Sequence, residues 1–156
     1  MVEEINLEKE YKKINKNNSL PSFSKLDSEF EISSIKEKEH LTKSLRRKVN
    51  EKIIFYCRIL EGILFPMQAN IITIHEGKHF SEEDKVKMTE TYKKLMQYER
   101  RSLILDISPN KKEDVAYINE VFKNWKKFKD EVLIVAKKMQ EAWNQKETIE
   151  ANSYTG

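Results

Sequence analysis

Ile53-Ile54-Phe55-Tyr56-Cys57-Arg58-Ile59-Leu60-Glu61-Gly62-Ile63-Leu64-Phe65-Pro66-Met67 is the longest apolar stretch of the chain. At about 100° per residue, Ile53 to Cys57 point all the way round a helix. A helical segment that is apolar on every side must be covered on every side, by the rest of its own chain or by another. A membrane is excluded as the cover, because the stretch carries Arg58 and Glu61 and falls short of the ~20 apolar residues a span needs.

Upstream of this stretch the apolar residues keep to one face. Leu41, Leu45, Val49, Ile53, Tyr56, Leu60 and Ile63 recur at three- and four-residue steps, which predicts a single long helix. Its start is expected near Ser33 and Ser34, because Ser34 with Glu37 has the spacing of a capping box. Pro66 stops it. Before it, Asn15 to Ser22 is a breaker cluster, and Phe23, Leu26, Phe30 and Ile32 stand in a polar background. Residues 1–32 therefore read as an N-terminal arm, a short helix plus linker, able to dock by those apolar side chains.

Downstream, residues 66–81 read as a connector in which Ile71–Ile74 is β-prone and at most a short extended piece. Ser81 with Asp84 is expected to cap a second helix, carrying Val86, Met88, Tyr92, Leu95, Met96 and Leu103. Asp106–Asn110 breaks the chain again. Ser108 as cap and Pro109 as first helical residue match the usual helix start. The third helix is expected to run to about Lys146. Val115, Ile118, Phe122, Trp125, Val132, Ala136 and Met139, overlapped by Val121, Phe128, Val135 and Ala142, cover about half its circumference, more than the ~100° of an ordinary surface helix.

Short connections between long amphipathic helices favour antiparallel packing. The expected fold is all-α: three long helices as an antiparallel bundle or extended helical hairpin over residues 33–147, with a flexible tail at 148–156. The composition agrees. Only three Gly and three Pro occur in 156 residues, with 35% charged and 38% hydrophobic, a balance that suits long helices. The formal net charge of +3, from 29 basic and 26 acidic residues, is too even to imply nucleic acid or an acidic membrane surface. Cys57 stands alone, so no intramolecular disulfide forms. With no basic and apolar leader at the first residues, a reducing cytoplasmic setting is expected.

The sharpest motif is His75-Glu76-Gly77-Lys78-His79, a literal H-E-x-x-H. On a helix, His75 and His79 would share a face and both bind zinc, with Glu76 as general base. Against this, Gly77 weakens a helix by ~1 kcal/mol, Lys78 adds charge, and His40 is the only other histidine, where catalytic zinc wants three protein ligands. The expectation is a polar loop with no metal and no cofactor, His75 and His79 being the metal alternative.

Between residues 43 and 58 six cations (Lys43, Arg46, Arg47, Lys48, Lys52 and Arg58) face one acid, Glu51. Lys43, Arg46, Arg47 and Lys48 could neutralise phosphates, but on a helical wheel the charges split into two groups, and a solvated or partner-facing surface is the preferred reading. Trp125 and Trp143 sit at core spacing. No nucleophile pairing or glycine-rich phosphate loop is present, so an enzyme is not expected.

The function these features favour is a non-enzymatic helical protein–protein interaction module, an accessory or adaptor subunit of a larger complex or a homo-oligomer. Ile54, Phe55, Phe65, Phe23 and Phe30 are the expected interface residues. The runner-up is a nucleic-acid-binding helical protein using the basic face, and a zinc hydrolase stands third.

Overall fold

The computed structural model describes residues 2–66 and 70–144. Six α-helices account for nearly all of them: α1 (Val2–Asn15), α2 (Phe23–Phe30), α3 (Leu41–Leu64), α4 (Ile71–Gly77), α5 (Glu82–Ile107) and α6 (Lys111–Ala142). The described chain is all-α. The tail expected over 148–156 and the last turn expected toward Lys146 lie outside the described residues.

The long helices α3, α5 and α6 pack on one another as a three-helix bundle. Cross-links between them give the directions. Arg46 meets Ser102 and Asp106, whereas Glu61 meets Tyr92, so residue numbers fall along α5 as they rise along α3. Likewise Asp84 meets Lys138 and Thr91 meets Glu131, so α6 runs antiparallel to α5. Asn50 meets Tyr117 and Tyr56 meets Trp125, so α3 and α6 run parallel. The core holds Leu45, Val49, Ile53 and Leu60 on α3 and Ile118, Val121, Trp125 and Phe128 on α6, as expected, with Met88 and Leu95 on α5. On α5 the expected Val86 and Leu103 are exposed, and Thr91, Ser102 and Leu105 are buried in their place.

Ahead of the bundle, α2 packs on α3, and α1 packs on α2 and on residues Ile32–Ser34. Leu7, Tyr11, Leu26, Phe30 and Ile32 are buried. Tyr11 meets the edge of Phe23 at 5.5 Å and donates its hydroxyl hydrogen to the Pro21 carbonyl. Phe30 reaches Trp125, ring centroids 4.7 Å apart, and Tyr56 stacks on the same indole at 4.6 Å. Glu29 accepts hydrogen bonds from Trp125 Nε1 at 2.9 Å and from Lys129 Nζ at 3.1 Å. The wide apolar face of α6 thus has its second neighbour within the chain.

Two helix starts differ from expectation. Ser34 does not cap α3. Glu31 ends α2 in the left-handed region (φ 55°), a 3-10 turn follows at Ile32–Ser34, and α3 begins at Leu41. Starting the helix at Ser34 would secure a cap worth ~1 kcal/mol, but the turn buries Ile32 and Ile35 instead, each worth ~1.5–3 kcal/mol. Burial wins. At α6, Asn110 and not Ser108 is the cap, its side chain accepting from the Glu113 amide at 3.2 Å. Pro109 holds Ser108 extended (φ −126°, ψ 85°), as the residue before a proline prefers, and the helix starts two residues later than expected.

The connector contains α4, not an extended piece. Asn70 caps it by accepting from the Ile72 amide at 3.1 Å, and isoleucine's strand preference yields, having no neighbouring strand to pair with. At α5 the expected cap is borne out. The Asp84 amide donates to Ser81 Oγ and the Ser81 amide to Asp84 Oδ2, both at 3.0 Å. Among the described residues no helix is long and apolar enough to cross a membrane.

Candidate functional site

The residues singled out for a partner surface part into two sets. Phe55 on α3 and Phe65 just past its end are 55% and 52% exposed, and Ile54 is half-buried. The aromatic Phe65 leans its ring on the edge of Tyr92 at 5.5 Å and still faces solvent. Phe23 is half-buried against Tyr11, and Phe30 is 1% exposed. Phe30 is therefore no partner contact; Trp125 of its own chain occupies it. On the wheel of α3, Phe55, Ile59 and Gly62 follow at four and three residues along the outward side. Gly62 stands close to Thr73 of α4, and α4 presents Ile72, 56% exposed, near the same end of the bundle. Within the all-round apolar segment, Phe55 is the side chain on α3 that the chain leaves mostly uncovered, with Phe65 just beyond the helix end.

The basic run does not form a face. Arg46 is wholly buried. Its Nε donates to Asp114 Oδ1 at 2.7 Å, Nη2 to Asp106 Oδ1 at 2.6 Å, and Nη1 to both the carbonyl and hydroxyl oxygens of Ser102. Thr42 adds a hydroxyl to the other Asp114 oxygen at 3.3 Å. Arg47 shares Asp106 at 3.0 Å, Lys48 faces Glu51 at 3.4 Å, and Lys43 is half-buried. Burial alone would push the Asp106 carboxyl up, but hydrogen bonds from Arg46 and Arg47 outweigh it and hold the group below its ordinary range. The cluster is an ion-paired clamp across three helices at the end where α5 turns into α6.

The H-E-x-x-H residues lie at the opposite end, with His75 and Glu76 inside α4 and His79 just beyond it. The two imidazoles meet edge to face at 5.5 Å. His75 Nε2 lies 2.9 Å from the Ala142 carbonyl. A carbonyl only accepts, so Nε2 carries the hydrogen and caps one of the orphan carbonyls at the end of α6. Glu76 accepts from Trp143 Nε1 at 3.0 Å. The motif thus ties α4 to the end of α6, and among the described residues no group of three or more His, Cys, Asp or Glu stands arranged to hold a metal.

One feature carries no signal in the linear sequence. Between the first half of α5 and the second half of α6 lies a cleft of about 200 Å³, lined by Leu60, Phe80, Met88, Thr91, Val135 and charged residues of both helices. It exists because α5 and α6 touch each other over less of their length than either touches α3. Only the register of the two helices brings its walls together. Lys138 bonds Asp84 at 2.6 Å across one end and stands over the Phe80 ring. Comparison with protein-family models, with curated proteins and with solved structures gives no match.

Proposed function

We propose that this protein is a non-enzymatic protein–protein interaction module whose contact surface is the outer face of α3 in its C-terminal half. One observation carries the reading: Phe55 on α3 and Phe65 just after it remain more than half exposed, whereas the other apolar side chains of α3 are buried or half-buried. Covering a phenylalanine is worth ~1.5–3 kcal/mol. The other two features that suggested a partner, the wide face of α6 and the apolar arm, are satisfied within the chain by Phe30 and Trp125. Two of the four cations offered to nucleic acid are engaged elsewhere, Arg46 buried and Arg47 paired with Asp106, which makes the protein contact the better reading.

The test compares the unmodified chain with Phe55→Glu/Phe65→Glu. Both positions are exposed, so the variant is expected to keep its helicity and thermal midpoint. The unmodified chain should form a defined complex, with itself by light scattering or with a stoichiometric protein that survives nuclease, and the variant should lose it. An unmodified chain that stays monomeric and retains nothing, or a variant that assembles equally well, would sink the reading.

A further inference from the structure

Met88, Thr91 and Lys94 follow at three-residue steps along α5, and Lys127, Glu131, Ile134 and Lys138 at three- and four-residue steps along α6. The antiparallel register that sets Asp84 beside Lys138 and Thr91 beside Glu131 carries Lys94 and Lys127 to the same end of the cleft between them. The floor is apolar: Leu60, Phe80, Met88 and Val135 are each at most 6% exposed. The cleft's volume of about 200 Å³ exceeds the ~150 Å³ in which an apolar cavity accepts benzene. A six-membered ring or a short alkyl chain fits it.

The charges at its rim are unevenly committed. Lys138 is bonded to Asp84, Lys87 faces Glu83 at 3.8 Å, and Glu131 accepts the Thr91 hydroxyl hydrogen. Lys94 and Lys127 both line the cleft and have no carboxylate partner within ion-pair distance among the described residues; Glu90, one turn before Lys94 on α5, lines it too. Two ammonium groups at one end of an apolar slot repel each other and attract an anion, and a charge-assisted hydrogen bond is about twice as strong as a neutral one.

We propose that the α5–α6 cleft is a binding site for a small amphipathic carboxylate. Its ring or short chain lies on Leu60, Met88 and Val135, and its carboxylate lies between Lys94 and Lys127. The site is separate from the outer face of α3 and stands or falls independently of it.

The test is a titration of the full ¹⁵N-labelled chain with octanoate and with phenylacetate, followed through backbone amide shifts. Acetate supplies the head alone and octanol the tail alone. Saturable shifts confined to the α5 and α6 residues of the cleft are expected, with both controls binding more weakly. Lys94→Gln/Lys127→Gln should weaken binding at least ~10-fold, while its thermal midpoint stays that of the unmodified chain. Absence of saturable shifts with both carboxylates overturns the proposal. So does octanol binding as tightly as octanoate, or a double variant whose affinity is unchanged.

Discussion

Arg46 has no exposed surface and three anionic or carbonyl partners from two other helices. Withdrawing a guanidinium from water costs several kcal/mol, and only its full set of bonds offsets that. Removing one side of such a pair strands the other. Arg46→Met is expected to destabilise the fold by ~3–5 kcal/mol, because Asp114, 4% exposed at its side chain, is left charged and unpaired. Adding Asp114→Leu should recover much of the loss. Urea unfolding of the single and double variants measures both, and a double variant no more stable than the single would show that the pair is not the source. Cys57 shows the same economy of solvent in milder form. Burial, then the nearby Glu61 and Glu99, push its thiol up to about 12, so it packs as a small hydrophobe and carries no thiolate at neutral pH.

Among the elements, α5 is the one whose start is secured twice. Asp84 closes the capping box with Ser81 and also bonds Lys138 of α6. The Lys138 bond first, and the Ser81 amide next, pull its carboxyl from 3.8 down to about 2. A carboxyl held low in the fold adds stability that is present above its ordinary value and is lost as pH falls through the folded one. The Asp84 contribution therefore fades between about 3.8 and about 2. Asp84→Asn should be less stable than the unmodified chain near neutrality, and the gap should close across that window. Parallel urea titrations from neutral pH downward check it; a gap that stays constant into acid would refute the assignment. Asp106 is shifted in the same direction by Arg46 and Arg47, so the difference between the two proteins, not the fall of either alone, isolates Asp84.

At the scale of the whole molecule, the arm and the bundle are one structure because their aromatic rings interlock. Tyr56 stacks on Trp125 and Phe30 packs tilted against it, and the indole also donates to Glu29. Phe30→Ala is expected to cost ~3–5 kcal/mol, the usual range for deleting a buried ring, and to shift Trp125 fluorescence toward the red. Phe55→Ala, at a site 55% exposed, should lie within ~0.5 kcal/mol of the unmodified chain. Equal effects at the two positions would contradict the division between covered and uncovered phenylalanines on which the proposed interface rests.

The periodicity of apolar residues determined by itself that this chain makes three long helices, because a core-facing stripe must recur every three or four residues. It also set which face of α3 and α6 turns inward, though on α5 the expected Val86 and Leu103 face solvent, and Ser81 with Asp84 marked one helix start, since that cap is a purely local bond. Ser34 misled because a local cap is worth less than burying Ile32 and Ile35, and burial is decided by distant partners. The same limit hid the role of Arg46. Its partners Asp106 and Asp114 lie 60 and 68 residues away, and nothing local distinguishes it from its neighbour Arg47. Phe30 and Phe55 likewise look alike in sequence, yet one meets Trp125 and the other meets solvent. The cleft, finally, belongs to no segment: it lies between α5 and α6, and only the register of whole helices, set by the packing of both on α3, decides what lines it.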